Sequence, residues 1–181
     1  AFISEVSVPQ AKGIAELQRG QVPVAISLLK QGIERWTKTG GNVRIPLIKT
    51  ALAEALEKSG DPYRALELIQ ECLKQIEAPQ GQERLWLAEV LRCKASILME
   101  MDRETEAEAL LRSALACARE QKARSWELRS AVTLARLLAR KGHLGEARIL
   151  LAPVYDSFTE GRDTADLIEA GFSRSLRLDL C

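Results

Sequence analysis

Four short turns recur along the chain, each with an alanine five residues later: Gly20 with Ala25, Gly60 with Ala65, Asp102 with Ala107 and Gly142 with Ala147. Successive turns are 40, 42 and 40 residues apart. Between them the apolar residues follow helical periodicity, with very little β-branched alternation. The repeating unit therefore reads as helix, tight turn, helix, longer loop. Twelve residues before each turn alanine stands another small residue: Gly13, Ala53, Ala95 and Ala135. Four residues after it stands a bulky one: Leu29, Ile69, Leu111 and Leu151. Small side chains on facing helices let backbones approach, and larger neighbours fill the grooves. Each bulky residue contributes roughly 1.5–3 kcal/mol when fully buried. One hairpin cannot bury both of its faces, so stability must come from stacking hairpins into an α-solenoid.

The turns carry the chemistry that such a unit needs. Gly20, Gly60 and Gly142 suit the left-handed conformation that closes a helix C-terminus. Asp102 stands at the third turn, and its short polar side chain tolerates that region better than most. Asp61 is an N-cap with Pro62 at the first helical position, and Pro23 and Pro46 also sit near helix starts. Pro9 falls in the first helix and places its start nearby. Pro153 falls in the eighth helix and is expected to kink or end it, because its ring meets the carbonyl of Ile149. Loops are expected over residues 37–43, 78–83 and 121–124, with Pro79 in the second and the glycine-containing Thr39-Gly40-Gly41-Asn42 in the first. Asp163 and Thr164 are competent N-caps for a last helix running through Ile168 and Leu176.

Composition narrows the function classes. The chain has 181 residues, suited to one domain or one run of repeats, and a formal net charge of +1. So balanced a chain has no global field to draw in nucleic acid or anionic membrane. No apolar run approaches the ~18 residues of a membrane span. The start has no signal-peptide pattern, and its lack of Met points to a chain cut from something longer. Cys72, Cys93, Cys117 and Cys181 form no C-x-x-C pair and read as free thiols, the first three within helices. That usage fits a reducing cytoplasm. His143, the single histidine, follows a turn glycine and reads as a turn residue. One histidine and scattered cysteines offer no metal constellation or nucleophile–base pair, and no glycine-rich phosphate loop occurs.

The register of small residue, turn, alanine and bulky residue resembles the tetratricopeptide repeat. The unit is longer here than the usual ~34 residues, and the first-helix aromatic and closing proline are missing. A HEAT-like solenoid matches the period better but does not predict the turn spacing. The resemblance implies an all-α, tetratricopeptide-like α-solenoid of four helical hairpins plus a C-terminal capping helix. One repeat domain would span 1–181, with repeats near 6–41, 42–82, 83–123 and 124–160 and the capping helix near 163–178.

A closer resemblance lies in residues 125–170, SWELRSAVTLARLLARKGHLGEARILLAPVYDSFTEGRDTADLIEA. Its most specific part runs from Leu150-Leu151-Ala152-Pro153-Val154-Tyr155 to Asp166-Leu167. The segments LLKQGIERWTKTG at 28–40 and LAEALEKSGDPYRALELI at 52–69 share it. These stretches resemble the C-terminal repeat region of large bacterial signalling proteins that carry a class III adenylate/guanylate cyclase or DNA-binding domain followed by an ATPase module. Any catalysis implied by that resemblance belongs to the parent, and this fragment is expected not to be an enzyme and to need no cofactor.

In tetratricopeptide folds the first helix of each hairpin lines the concave face, which directs attention to the polar residues there. Arg129, Arg136 and Arg140 share one helical face, as do Arg92, Ser96 and Glu100. Thr50, Glu54, Glu57 and Lys58 face the same way, with Glu54 and Lys58 spaced to pair. The candidate partner-binding set is Glu54, Lys58, Arg92, Ser96, Glu100, Arg129, Arg136 and Arg140. Along it the charge is expected to run from mixed or acidic to basic toward the C-terminus. The face is either a partner groove or an ordinary solvated surface, and carboxylates such as Glu89 and Glu100 pairing with the arginines would favour the latter. Trp86 and Trp126, 40 residues apart, serve either packing between repeats or stacking of a ligand.

The expected function is a protein-interaction or regulatory module, binding a protein or peptide segment, possibly of its own parent chain. The alternative is a small-molecule sensor domain, as in ATP-dependent transcription regulators, which would need an enclosed pocket with convergent polar groups.

Overall fold

Helix termini explain the architecture. In the computed structural model, which describes residues 2–38, 44–78 and 84–175, five interhelical turns close with one hydrogen-bond pattern. At the second turn the Gly60 N–H donates to the Glu57 carbonyl and the Asp61 N–H to the Leu56 carbonyl. Equivalent pairs occur at Gly20, Asp102, Lys122 and Gly142. Each pair satisfies two carbonyls that the helix end leaves open, provided that the central residue is left-handed. The φ angles are +77° at Gly20, +86° at Gly60, +82° at Gly142, 58° at Asp102 and 54° at Lys122. The turn at Lys122 replaces the longer loop expected over 121–124. Its backbone carbonyls are satisfied as at the others, although lysine brings a Cβ that glycine lacks.

These turns make five of the eight junctions between nine α-helices among the described residues: α1 (Phe2–Gln18), α2 (Val22–Lys38), α3 (Ile45–Lys58), α4 (Pro62–Glu77), α5 (Leu87–Glu100), α6 (Glu104–Glu120), α7 (Arg124–Arg140), α8 (Leu144–Asp156) and α9 (Ala165–Ser175). A single 3-10 turn, Arg84–Trp86, leads into α5, and no described residue is in a strand. Consecutive helices pack as the hairpins α1–α2, α3–α4, α5–α6 and α7–α8, and each odd-numbered helix also touches the next odd-numbered one. The odd helices thus form one continuous layer, ending in α9 against α7 and α8. The protein is an all-α solenoid of four hairpins and a further helix.

The small and bulky positions pack as the repeat requires. Ala25, Ala65, Ala107, Leu29, Ile69 and Leu111 are fully buried, and Ala147 and Leu151 nearly so. At the first hairpin a Cβ on Gly13 would stand 2.8 Å from the Leu29 Cγ, so the missing side chain is what seats the leucine. Leu167 and Ala170 of α9 join the core formed by α3 to α8. They cover the face that the last hairpin leaves open.

Two prolines depart from expectation. Pro9 does not mark the start of α1, which begins seven residues earlier at Phe2. Pro9 is buried, and next to it Gln10 packs on Gly32 of α2 and accepts a hydrogen bond from the Trp36 indole at 3.2 Å. This packing on α2 holds the backbone helical through the lost bond. Pro153 lies inside α8, which continues to Asp156 because Leu151 and Val154 on either side are anchored in the core. Pro62 and its N-cap Asp61 are as expected, with Asp61 accepting from the Arg64 N–H at 3.2 Å. Thr164 accepts the first bond of α9, from the Ile168 N–H. The Thr39-Gly40-Gly41-Asn42 stretch, Pro79, Leu176 and Cys181 lie outside the described residues.

Candidate functional site

The odd-helix layer gathers polar residues that are far apart in sequence. On α5, Arg92, Ser96 and Glu100 follow one another at four-residue spacing and share a face. On α7, Arg129, Thr133, Arg136 and Arg140, spaced by four, three and four, also share a face. With Asp166 and Glu169 of α9 they line a groove of about 290 Å³ whose apolar lining comes from Met99 and Val132. Six of the eight candidate residues thus share one groove: Arg92, Ser96, Glu100, Arg129, Arg136 and Arg140.

The groove sits on a buried ion network. Arg92 donates from Nε and Nη2 to the two carboxylate oxygens of Glu89, both at 2.8 Å, and also to Glu54. The Arg92 and Glu89 side chains are only 8% and 3% exposed. Arg129 reaches the same two carboxylates, Glu89 at 2.7 Å and Glu54 at 3.4 Å. Burial by itself would push the Glu54 carboxyl upward, but the Arg92 and Arg129 guanidiniums outweigh it and hold Glu54 below its ordinary value. Burial likewise opposes the charge on Arg92, and Glu89 and Glu54 more than compensate. Two cations and two carboxylates therefore balance within the layer, the condition under which buried charge is tolerated.

Glu57 lies beside this network without a cation of its own. Burial, aided by the charges of Glu54 and Glu100, raises its carboxyl to about 7, against the opposing effect of the Ser96 hydroxyl. That hydroxyl donates to Glu57 Oε1 at 3.0 Å. Glu57 therefore titrates near neutrality.

Toward the mouth of the groove the pairs are more exposed. Arg136 meets Glu169 of α9 at 2.5 Å, with side chains 50% and 45% exposed. Arg140 lies 3.2 Å from Glu104 and 3.9 Å from Glu100. Asp166 stands 4.0 Å from Arg129. Carboxylates from neighbouring helices thus face all three arginines, including the Glu89 and Glu100 that the sequence pointed to.

The remaining candidates differ from their expected arrangement. Glu54 does not pair with Lys58. It turns to the buried Arg92 and the partly buried Arg129, which need it more than an exposed lysine does. Lys58 is exposed and outside the groove lining. The groove does not end basic, because α9 returns two carboxylates beyond α7. The i,i+3 spacing of Asp166 and Glu169 was a signal for this, but only the packing of α9 on α7 shows which helix they face.

Other singled-out residues have plain surroundings. Trp86 and Trp126 meet edge to face, 6.1 Å between centroids, and the Arg129 guanidinium lies 5.7 Å from the Trp126 ring. Cys72 and Cys93 are buried, and burial pushes the Cys93 thiol well up and the half-buried Cys117 thiol up as well. Such thiols hold little thiolate at neutral pH. His143 is exposed at the N-cap of α8, where its side chain makes no capping bond. Among the described residues no three His, Cys, Asp or Glu side chains are grouped as metal ligands. No described helix is long and apolar enough to cross a membrane.

No family model matches the chain, and no curated protein matches it. Solved structures do. Two crystal structures of the nearly identical TPR-like repeats of a kinesin light chain-like protein from Podosopora anserina, one of them a point variant, are similar over almost the whole chain. The variant aligns with a TM-score of 0.64 and 23% identity, covering 96% of this chain and 85% of that one. The other aligns with a TM-score of 0.63 and 23% identity, covering 94% and 84%. At that identity the likeness concerns the fold, and the solenoid is of the tetratricopeptide type.

Proposed function

We propose that the chain is a protein-binding repeat module, and that its binding surface is the groove between α5, α7 and α9. The observation that carries this reading is the placement of half-exposed Arg136, Arg140, Glu100 and Glu169 around one groove on the continuous odd-helix layer. Solenoids commonly bind along such a layer. Exposed ion pairs of this kind contribute little to stability, so exchanging one for a partner's carboxylate costs the fold little. Arginine also grips a carboxylate in two-pronged geometry. The partner is a protein or peptide segment, and Glu54, Arg92 and Arg129 act beneath the surface by holding α3, α5 and α7 in place. Ser96 completes the proposed surface, and Lys58 of α3 lies outside it. Residues 1–181 act as one repeat domain with units near 6–41, 42–82, 83–123 and 124–160.

The same reading makes the chain a cytoplasmic, non-catalytic part of a bacterial signalling protein with a cyclase or ATPase domain elsewhere. The resemblance over residues 28–40, 52–69 and 125–170 is its support. The decisive experiment titrates a partner captured from the source cells against wild type and Arg136→Ala at two ionic strengths. Binding is expected to weaken with salt, and the substitution to cost about 1–3 kcal/mol. Equal affinity in all four measurements removes the groove as the surface.

A second reading, a small-molecule sensor, is favoured by the groove volume of about 290 Å³ and its convergent charged groups. That volume is at the lower edge of ligand sites, which are mostly apolar. Saturable binding of a metabolite with no protein partner would favour it.

A further inference from the structure

The arginines of α7 differ in where their carboxylates come from. Arg129 is held from within by Glu89 and Glu54, and Arg140 by Glu104 of α6 and Glu100 of α5. Arg136 has its ion pair with Glu169 of α9 alone among the described residues. Asp166, three residues earlier on α9, adds a second carboxylate at the rim of the groove, 4.0 Å from Arg129. Between and beside these two acids, Leu167 and Ala170 are buried in the core of the preceding hairpins, while Ile168 points outward and is exposed. So α9 presents α7 with one face on which two carboxylates three residues apart alternate with apolar residues.

The described part of α9 buries two apolar side chains, as α2 does with Ala25 and Leu29. Six residues of α4 and five of α6 are buried apolar side chains, against Leu167 and Ala170 among the described side chains of α9. Residues 157–164 connect α9 to α8, with Gly161 left-handed at φ +71°. The pair that α9 makes with Arg136 is half-exposed, and such pairs are weakly stabilising and screened by salt.

We infer that α9, which forms one wall of the groove, is a cis-acting cover of the α7 face beneath it, and that the partner is an acidic amphipathic helix of the same chemistry, with two carboxylates three residues apart beside apolar residues, which displaces it. The inference rests on the protein-binding reading above and specifies both the partner and its control. Binding is limited by the fraction of molecules in which α9 has left α7, so weakening α9 raises the apparent affinity. Charge complementarity selects the partner. Arg136 accepts the carboxylate that Glu169 gives up, and the sites of Leu167 and Ala170 accept the apolar residues.

The test uses the full chain and a labelled synthetic peptide spanning residues 163–175 of its own sequence. Wild type is expected to bind the peptide weakly, because the tethered copy competes. The Asp166→Asn/Glu169→Gln double variant is expected to bind it about three- to tenfold more tightly. Adding Arg136→Glu returns the affinity to the wild-type level or below. Equal peptide affinity for wild type and the double variant overturns the inference, and so does affinity that Arg136→Glu leaves unchanged. Hydrogen exchange on wild type guards against a misfolded variant: saturating peptide should speed exchange in the α9 amides, and unchanged α9 protection also overturns the inference. A captured protein partner that depends on Arg136 while the peptide fails sinks only the α9 mechanism. Loss of that dependence sinks the binding surface itself.

Discussion

The Arg129 guanidinium meets the Glu89 carboxylate at 2.7 Å, and that carboxylate, 3% exposed, also receives Arg92. One acid therefore serves two cations on two helices. The first member of the arginine stripe, 29% exposed, is tied into the buried network, whereas Arg136 belongs to the surface.

That division predicts a sharp contrast in stability. Glu89→Ala leaves Arg92 buried with half of its counter-charge and is expected to cost about 3–5 kcal/mol in urea unfolding. Arg136→Ala breaks a half-exposed pair and is expected to cost less than about 1 kcal/mol. Similar losses from the two substitutions would contradict the division.

Glu57 predicts a pH dependence. Its folded pKa of about 7 lies above its ordinary 4.5, so the fold favours the protonated form. The associated stability is full below about pH 4.5 and is lost as pH rises through about 7. Glu57→Gln stays neutral throughout and escapes that loss. The variant is expected to exceed wild type by roughly 1–3 kcal/mol at pH 8 and to match it near pH 4. A difference independent of pH would mean that the carboxyl is not titrating in the fold.

The close helix approaches predict that added volume is costly. Ala65→Leu and Ala107→Leu, both at fully buried positions, are each expected to destabilise by roughly 1–3 kcal/mol through overpacking. His143→Ala, at an exposed turn residue, is expected to change stability by less than about 0.5 kcal/mol. Thermal denaturation of the three variants measures the contrast.

Lys122 predicts a gain. It holds φ 54° in a turn whose counterparts are mostly glycine, and a Cβ there is strained. Lys122→Gly is expected to stabilise by about 0.5–1 kcal/mol, and Gly60→Ala to destabilise by at least as much. A loss from Lys122→Gly would place the value of this residue in its side chain.

These residues also show what could be read in advance. Gly20, Gly60 and Gly142 announced their turns because the left-handed region is easy only for glycine, and Asp102 could be added by its register. Lys122 adopts the same conformation with no such marker, since its strain is offset by the helices on either side and local chemistry does not display it. Arg92, Ser96 and Glu100 could be placed on one face by spacing alone. The choice of Glu54 between Lys58 and Arg92 could not, because it depends on how deeply α5 seats against α3. The raised Glu57 carboxyl was out of reach for the same reason: desolvation is a property of the packed layer. Pro9 misled because a missing backbone bond is visible in sequence and the contacts of Gln10 that compensate for it are not.

In a stack of repeats each unit ordinarily senses only the units beside it, so the array can open from either end one piece at a time. The bond from Arg129 to Glu54 spans 75 residues and passes over α5 to join α7 directly to α3. Because Glu89 of the intervening helix shares the same guanidinium, detaching α3 or α7 leaves an unbalanced charge on the helices that remain. The second, third and fourth hairpins are therefore expected to melt as a block, with gradual fraying left to the first hairpin at one end and α9 at the other.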